Sequence, residues 1–315
     1  MRILSWLKLN HLSRERAGFV LGLLGVLGFS GTLPATRLAM PYLDPVLFGL
    51  GRSLVAGTIS AILLILTRQA IPTKSQIKTL SIVSAGVIVG FPLLSALAIQ
   101  HVAAGQGAVV LAVIPLFTAI LGIMRAKQYP PITFWLAAVG GSMTVTFYVL
   151  LSSARTLPGV DALLLIGAAA SAAIGYAEGG HLAKVLGGWQ VICWALVLAA
   201  PFLILPVTMA IWRHGIIAPP QAWFGFLYVS IVSQLLAFFL WYGGLAMGGV
   251  VRISQVQLLQ PFLTILAAAA LLGERITSMT FLFATITVVL VALSRNAANN
   301  IHLKPTPSKA KEPTK

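Results

Sequence analysis

The chain has 315 residues, 58% of them hydrophobic and only 9% charged, against about 25% charged in ordinary soluble domains, and its mean hydropathy is +0.96. A water-soluble fold of this length cannot hide so much apolar surface. The net charge of +15 does not point to nucleic acid, because the basic residues fall in short clusters between apolar runs and in the tails, with no soluble domain to carry a basic face.

Residues 1–16 hold several charges on a broken apolar pattern and read as a cytoplasmic N-terminal segment. Long apolar runs follow at 17–39, 45–66, 77–99, 106–124, 131–150, 160–182, 189–212, 220–242, 251–272 and 278–294. Each is close to the roughly 20 residues that a helix needs to cross a bilayer. Turn signals separate several of them: Pro41 and Pro45, Pro72, Pro130 and Pro131, Pro158 with Gly159, Pro219 with Pro220. Shorter glycine-containing links, His101 to Gly105 and Gly243 to Val250, join the third run to the fourth and the eighth to the ninth. The runs are too long for buried strands and lack the alternation of a transmembrane barrel. The tail 296–315 is polar, basic and proline-containing, and is expected to be disordered. The expected architecture is therefore an all-α integral membrane protein of ten transmembrane helices.

Charge sets the orientation. With the N-terminus inside, 16 of the 21 Lys and Arg residues fall on cytoplasmic segments, leaving Arg37, Arg52, Arg155, Arg213 and Arg275 outside. This bias predicts that both termini are cytoplasmic, which requires an even number of spans. A bacterial inner membrane is the expected location.

The two halves, 17–150 and 160–295, repeat weakly. Ile114-Pro115-Leu116-Phe117-Thr118 resembles Gln260-Pro261-Phe262-Leu263-Thr264, and Arg37-Leu38-Ala39 resembles His181-Leu182-Ala183. The offsets are 146 and 144, so one alignment nearly covers both. A five-span copy is odd-numbered, so the second copy enters from the opposite side, giving two inverted five-helix repeats. With these features, and Leu272-Gly273-Glu274 before the last helix, the chain resembles the EamA-type drug/metabolite transporter (DMT) superfamily over about residues 17–295. It departs from that pattern at Gln128, where a second Glu often follows the fourth helix. The resemblance implies secondary transport, often export of amino acids or related metabolites, through a central cavity between the halves.

Polar residues inside a membrane helix are costly unless they face protein or water. Ser171, Gly175, Glu178 and His181 share one face of the sixth helix. Glu178 is the only acidic residue well inside a span, and reads either as a proton or amine site or as an interfacial carboxylate satisfied by Lys184, His181 or headgroups. The ninth helix offers Ser254, Gln257, Gln260 and Thr264 on one face, the eighth Ser230, Ser233, Gln234 and Trp241, and the third Ser95 at the position matching Trp241. As a set these line a substrate cavity; singly, each could equally serve as an interhelical hydrogen bond. Arg37 either attracts a substrate carboxylate at the cavity mouth or snorkels to the interface, and Arg52 is read the same way. Pro92, Pro115 and Pro261 are hinge candidates. Glycines at 18, 22, 25, 28 and 31, with the pairs 86/90, 175/179 and 244/248, have the spacing of close helix packing.

Other chemistries lack their motifs. There is one cysteine, Cys193, and no His-acid spacing of a metal site, no phosphate loop and no nucleophile elbow. No cofactor is expected. The expected partners are the bilayer and a small-molecule substrate, with a proton if the carrier is coupled and none if it is uncoupled, without nucleic acid, in a monomer or homodimer. The function read from the sequence is a secondary transporter exporting small amino acid-like metabolites by alternating access. A multidrug efflux carrier, a membrane scaffold or lipid-handling protein, and an intramembrane enzyme are the rival readings.

Overall fold

The computed structural model describes residues 13–101, 113–126, 128–152, 159–273, 276–298 and 302–303. These form helices α1 (Arg14–Ala39), α2 (Pro45–Leu66), α3 (Lys74–Ile99), α4 (Ile114–Ala126), α5 (Ile132–Ser152), α6 (Gly159–Leu186), α7 (Gly188–His214), α8 (Pro220–Gly248), α9 (Val250–Leu272) and α10 (Ser278–Ala297). Eight are long and apolar enough to cross a membrane, while α4 and α5 are shorter apolar helices over their described stretches. Large apolar side chains such as Leu66, Phe202, Trp212 and Phe281 point outward and are more than half exposed. A lipid-facing surface requires this; a soluble protein of this size would not carry so much exposed apolar area.

Local signals explain most boundaries. Ser13 caps α1 by accepting from the Arg16 amide. Asp44 caps α2 by accepting from the amides of Val46 and Leu47 at 2.8 and 3.0 Å, with Pro45 in the first turn. Thr73 and Gln76 form a reciprocal capping box at the start of α3. The link between α8 and α9 is shorter than the sequence suggests: Gly243 to Gly248 stay helical, and Gly249 alone turns the chain at φ 86°, a conformation that favours glycine. The tail also differs from its expectation at its start, since α10 continues to Ala297 and His302–Leu303 pairs antiparallel with Gln128–Tyr129. The rest of the tail, the segment 1–12, residues 102–112, and Arg155, Glu274 and Arg275 lie outside the described residues.

Helix packing follows a paired scheme. The densest contacts of α1 are with α8, and α3 packs mainly on α6; α4 packs on α6 and α9 on α1. α2 pairs with α7, α5 with α10, and α4 with α9. Exchanging α1–α5 for α6–α10 leaves this scheme unchanged. Small residues permit the two closest pairings. A methyl group on Gly18 would stand 2.6 Å from the Gly248 nitrogen, and one on Gly244 2.7 Å from the Gly22 nitrogen. In the matching pair, a methyl on Gly86 would stand 2.5 Å from the Ser171 carbonyl oxygen. Helices at such distances gain backbone contact that larger side chains would prevent.

Three helices depart from α geometry along their length. α3 contains a π-helical stretch at Ser84–Gly90 and α8 another at Tyr228–Leu236, at nearly matching places in the two halves. α9 tightens into a 3-10 turn at Gln255–Leu259 immediately before Pro261. Such irregular turns loosen the regular backbone ladder and commonly mark functional regions.

Candidate functional site

The irregular stretches surround a narrow cleft in the centre of the bundle. Its wall is built from Phe29 and Thr32 of α1, Arg52 of α2, Phe91 of α3, Ile114 of α4, Tyr176 of α6, Ser233, Gln234 and Phe238 of α8, and Gln257 and Gln260 of α9. The cleft is so constricted that it has room for about one water molecule. The wall is mixed, with amides, hydroxyls and a guanidinium on one part and phenyl rings on another.

Side chains and irregular backbone satisfy each other around the cleft. The Gln234 amide donates to the Val87 carbonyl at 3.2 Å and the Ser53 hydroxyl to that of Ile88 at 3.1 Å, so both carbonyls of the α3 π-turn find donors from other helices. Thr32 and Ser233 share a 2.7 Å hydrogen bond between α1 and α8. Gln257 donates to the Gln260 side-chain oxygen at 3.1 Å, and Gln255 to the Pro115 carbonyl at 3.4 Å. Other polar atoms stay unpaired. Arg52 Nε, Gln257 Oε1 and Trp241 Nε1 are buried without a hydrogen-bond partner.

Of the residues singled out from the sequence, Ser233, Gln234, Gln257 and Gln260 line the cleft. Trp241 lies beside it, edge-on to Phe29 and Tyr176 at centroid distances of 6.1 and 5.4 Å. Ser95 and Ser254 instead return their hydroxyls to their own helices, to Pro92 at 3.3 Å and Val251 at 3.0 Å. Ser171 packs under Gly86 and Gly90 of α3 and borders a surface groove with Lys78 and Ser81. Glu178 pairs with Arg125 of α4 at 3.2 Å and does not line the cleft. Arg37 is exposed and donates to the Ile99 carbonyl at 3.4 Å. Pro92 follows the α3 π-turn directly, Pro115 sits in the first turn of α4, and Pro261 follows the α9 3-10 turn.

Arg52 corrects the sequence reading. It does not snorkel to an interface: it is the eighth residue of α2, about 10 Å along the helix axis, and only 2% exposed. Tyr176, Phe29 and Thr32 were also missed. The face of α6 carrying Ser171 and Gly175 packs against α3, so the side chain that reaches the cleft is Tyr176, from a neighbouring face. For Arg52 the available signal was depth, since a cation seven residues past a helix-starting proline stands well inside a 22-residue helix.

Among the described residues, two Arg–Glu ion pairs and two His–Asp contacts tie helices together away from the cleft. His101 meets Asp161 at 3.2 Å, joining the end of α3 to the start of α6, and His214 meets Asp44 at 3.4 Å, joining the end of α7 to the cap of α2. Arg125 at the end of α4 pairs with Glu178, about two turns inside α6, and Arg252 near the start of α9 with Glu15 in the first turn of α1.

An all-helical, multi-pass membrane protein with a polar cleft at its centre is the class that this fold and site define. The EamA-like transporter family matches the chain twice, over residues 16–150 and 160–295, and the chain belongs to that family. It is 39% identical over 273 residues to the uncharacterized transporter YdeK of Bacillus subtilis (strain 168), covering 84% of this chain and 92% of that one. It is 27% identical over 266 residues to Protein PecM of Dickeya dadantii (strain 3937), covering 79% of this chain and 84% of that one. A solved crystal structure at 13% identity superposes with a TM-score of 0.72 over 91% of this chain and 99% of the other, a likeness of fold.

Proposed function

We propose that this protein is a secondary carrier that exports a small metabolite, amino acid-like in size, by alternating access across a bacterial inner membrane. In this reading all ten helices span the bilayer, the two five-helix halves are inverted copies, and both termini are cytoplasmic. The observation that carries it is the narrow cleft where the two halves meet, with amides, hydroxyls and a guanidinium in its wall, beside the irregular turns of α3, α8 and α9.

The packing scheme supports the inverted relation. The pairs α1/α8 and α3/α6 exchange under the repeat, as a two-fold axis between the copies requires, and an odd number of spans per copy turns that axis into the membrane plane. The ion pairs agree with the assigned orientation. The two His–Asp pairs fall at helix ends assigned to the outer side and the two Arg–Glu pairs toward the side assigned as cytoplasmic. A carrier that opens alternately must break contacts at one end while keeping those at the other, and polar pairs with one partner reaching the surface suit that exchange. In this reading the cleft, which has room for about one water molecule, widens as the carrier opens to either side.

The test is solute uptake into inside-out and right-side-out vesicles, with a mixed metabolite panel and an imposed pH gradient. Directional, saturable flux that depends on this protein supports the carrier. Equal solute retention in vesicles with and without it, in both orientations, would overturn the proposal. The same vesicles report whether a proton gradient drives the flux.

A further inference from the structure

We infer that Arg52 is the counter-charge for the substrate, and that the cleft selects a small carboxylate anion carrying an O–H or N–H donor beside the carboxylate, in preference to zwitterions, amines and neutral solutes. This rests on the carrier reading above and names the substrate class for that site.

The argument begins with charge. An arginine stays protonated in proteins, and burying a cation without a counter-ion costs several kcal/mol. Arg52 is 2% exposed and its Nε has no partner. The chain has six carboxylates. Four are engaged elsewhere: Glu15 with Arg252, Asp44 with His214, Asp161 with His101 and Glu178 with Arg125. The other two, Glu274 and Glu312, lie outside the described residues. Among the described residues no ion pair reaches Arg52, and its neighbours along the cleft are a phenol and amides, which solvate a cation without neutralising it.

A cleft with one cation and no acid is balanced by one negative charge. A planar carboxylate matches the guanidinium fork, whereas a phosphate monoester, at about −1.5 to −2, would need more positive charge than the cleft supplies. A zwitterion would bring an ammonium with no carboxylate to meet it. The second polar requirement comes from Gln257, whose Oε1 is buried without a donor while its amide nitrogen is already committed to Gln260. A hydroxyl or amide N–H on the ligand would satisfy it. Phe29 and Phe238 offer an apolar wall for the rest of the molecule.

Ligand-induced thermal stabilisation of the purified full chain tests this with three probes of like shape: phenyllactate, its neutral amide and phenylalanine, with lactate, lactamide and alanine as a smaller set. We expect one of the hydroxy acids to raise the melting temperature at concentrations where its amide and amino acid counterparts do not. Arg52→Gln should weaken that binding by about 10- to 100-fold, the loss of a charge-assisted hydrogen bond, with Arg52→Lys between the two. Without ligand, Arg52→Gln should melt no lower than the unaltered protein, because it removes an unneutralised buried charge; a purely structural arginine would give a lower melting temperature. Equal stabilisation by acids and amides, stabilisation by neither hydroxy acid, or undiminished acid binding by Arg52→Gln overturns the inference. If Arg52→Gln melts lower or does not fold, the claim that its charge is unneutralised is overturned, and the acid-to-amide comparison on the unaltered protein with the Arg52→Lys variant decides the anion site alone. Vesicle flux separates the two claims: Arg52-dependent binding without flux overturns the carrier and leaves the anion site standing, while flux of neutral or cationic solutes unaffected by Arg52→Gln leaves the carrier and overturns the anion site.

Discussion

The two halves of this molecule are alike as scaffold and unlike as chemistry. Their packing pairs interchange, their π-turns fall at nearly corresponding places in α3 and α8, and glycines press α1 on α8 as they press α3 on α6. The cleft surface does not follow this symmetry. Gln260 of α9 faces the cleft where its counterpart at the repeat offset, Ile114 of α4, is apolar. Arg52 of α2 corresponds to the apolar neighbourhood of Leu196, Val197 and Leu198 in α7. Backbone packing depends on small residues at repeated spacings, which both copies have kept. Recognition of one small solute needs only one set of polar groups, so a second set would add desolvation cost without adding contact.

That contrast can be broken most severely in the scaffold. Gly18→Leu and Gly86→Leu, one in each half, drive side chains into backbone 2.6 and 2.5 Å away. Each should cost about 3 kcal/mol or more and lower the melting temperature or abolish folded protein in detergent. Gly140→Ala, whose nearest neighbour would be a Leu290 methyl at 3.8 Å, should leave it within about 0.5 kcal/mol. A large loss in only one half would show that the halves are not equivalent as scaffold.

The chemical asymmetry is sharpened next by Gln260→Ile, which makes this position match Ile114. It removes the Gln257–Gln260 hydrogen bond. We expect solute flux in vesicles to fall about tenfold, the scale of one lost polar contact, with stability changed by about 1 kcal/mol or less. Smaller still, Ser53→Ala takes the donor from the Ile88 carbonyl of the α3 π-turn and should cost about 0.6 kcal/mol in thermal unfolding. At the bottom of the scale, Arg37→Gln alters an exposed side chain and should shift stability by less than about 0.5 kcal/mol and leave ligand binding unchanged; a loss of binding there would move the anion contact from the cleft to its mouth.

Glu178 shows where a reading from periodicity stops. Its depth and its place on a polar helical face suggested a role in the cavity, but that face meets α3 and α4, and the carboxylate is held by Arg125. Ser95 and Ser254 illustrate a second limit. A short hydroxyl in a helix can bond to the carbonyl of the preceding turn, so its presence says little about which face is wet. The π-turns are a third. Each adds residues to a turn and shifts the angular position of everything beyond it, so the faces of α3 and α8 cannot be laid out from a constant period.

What the sequence determined by itself was the membrane class, the helix segments and the repeat. Apolar runs near bilayer thickness, charge clusters between them and spaced glycines act locally, and each carries its physical meaning wherever the chain goes. Only the tertiary structure decided which side chains share the cleft and which charges are left over. That Arg52 is buried without a carboxylate, while four acids meet other partners, three of them at helix ends and Glu178 about two turns inside α6, depends on how seven helices converge, because a charge is balanced by whatever packing brings near it and not by its neighbours in the chain.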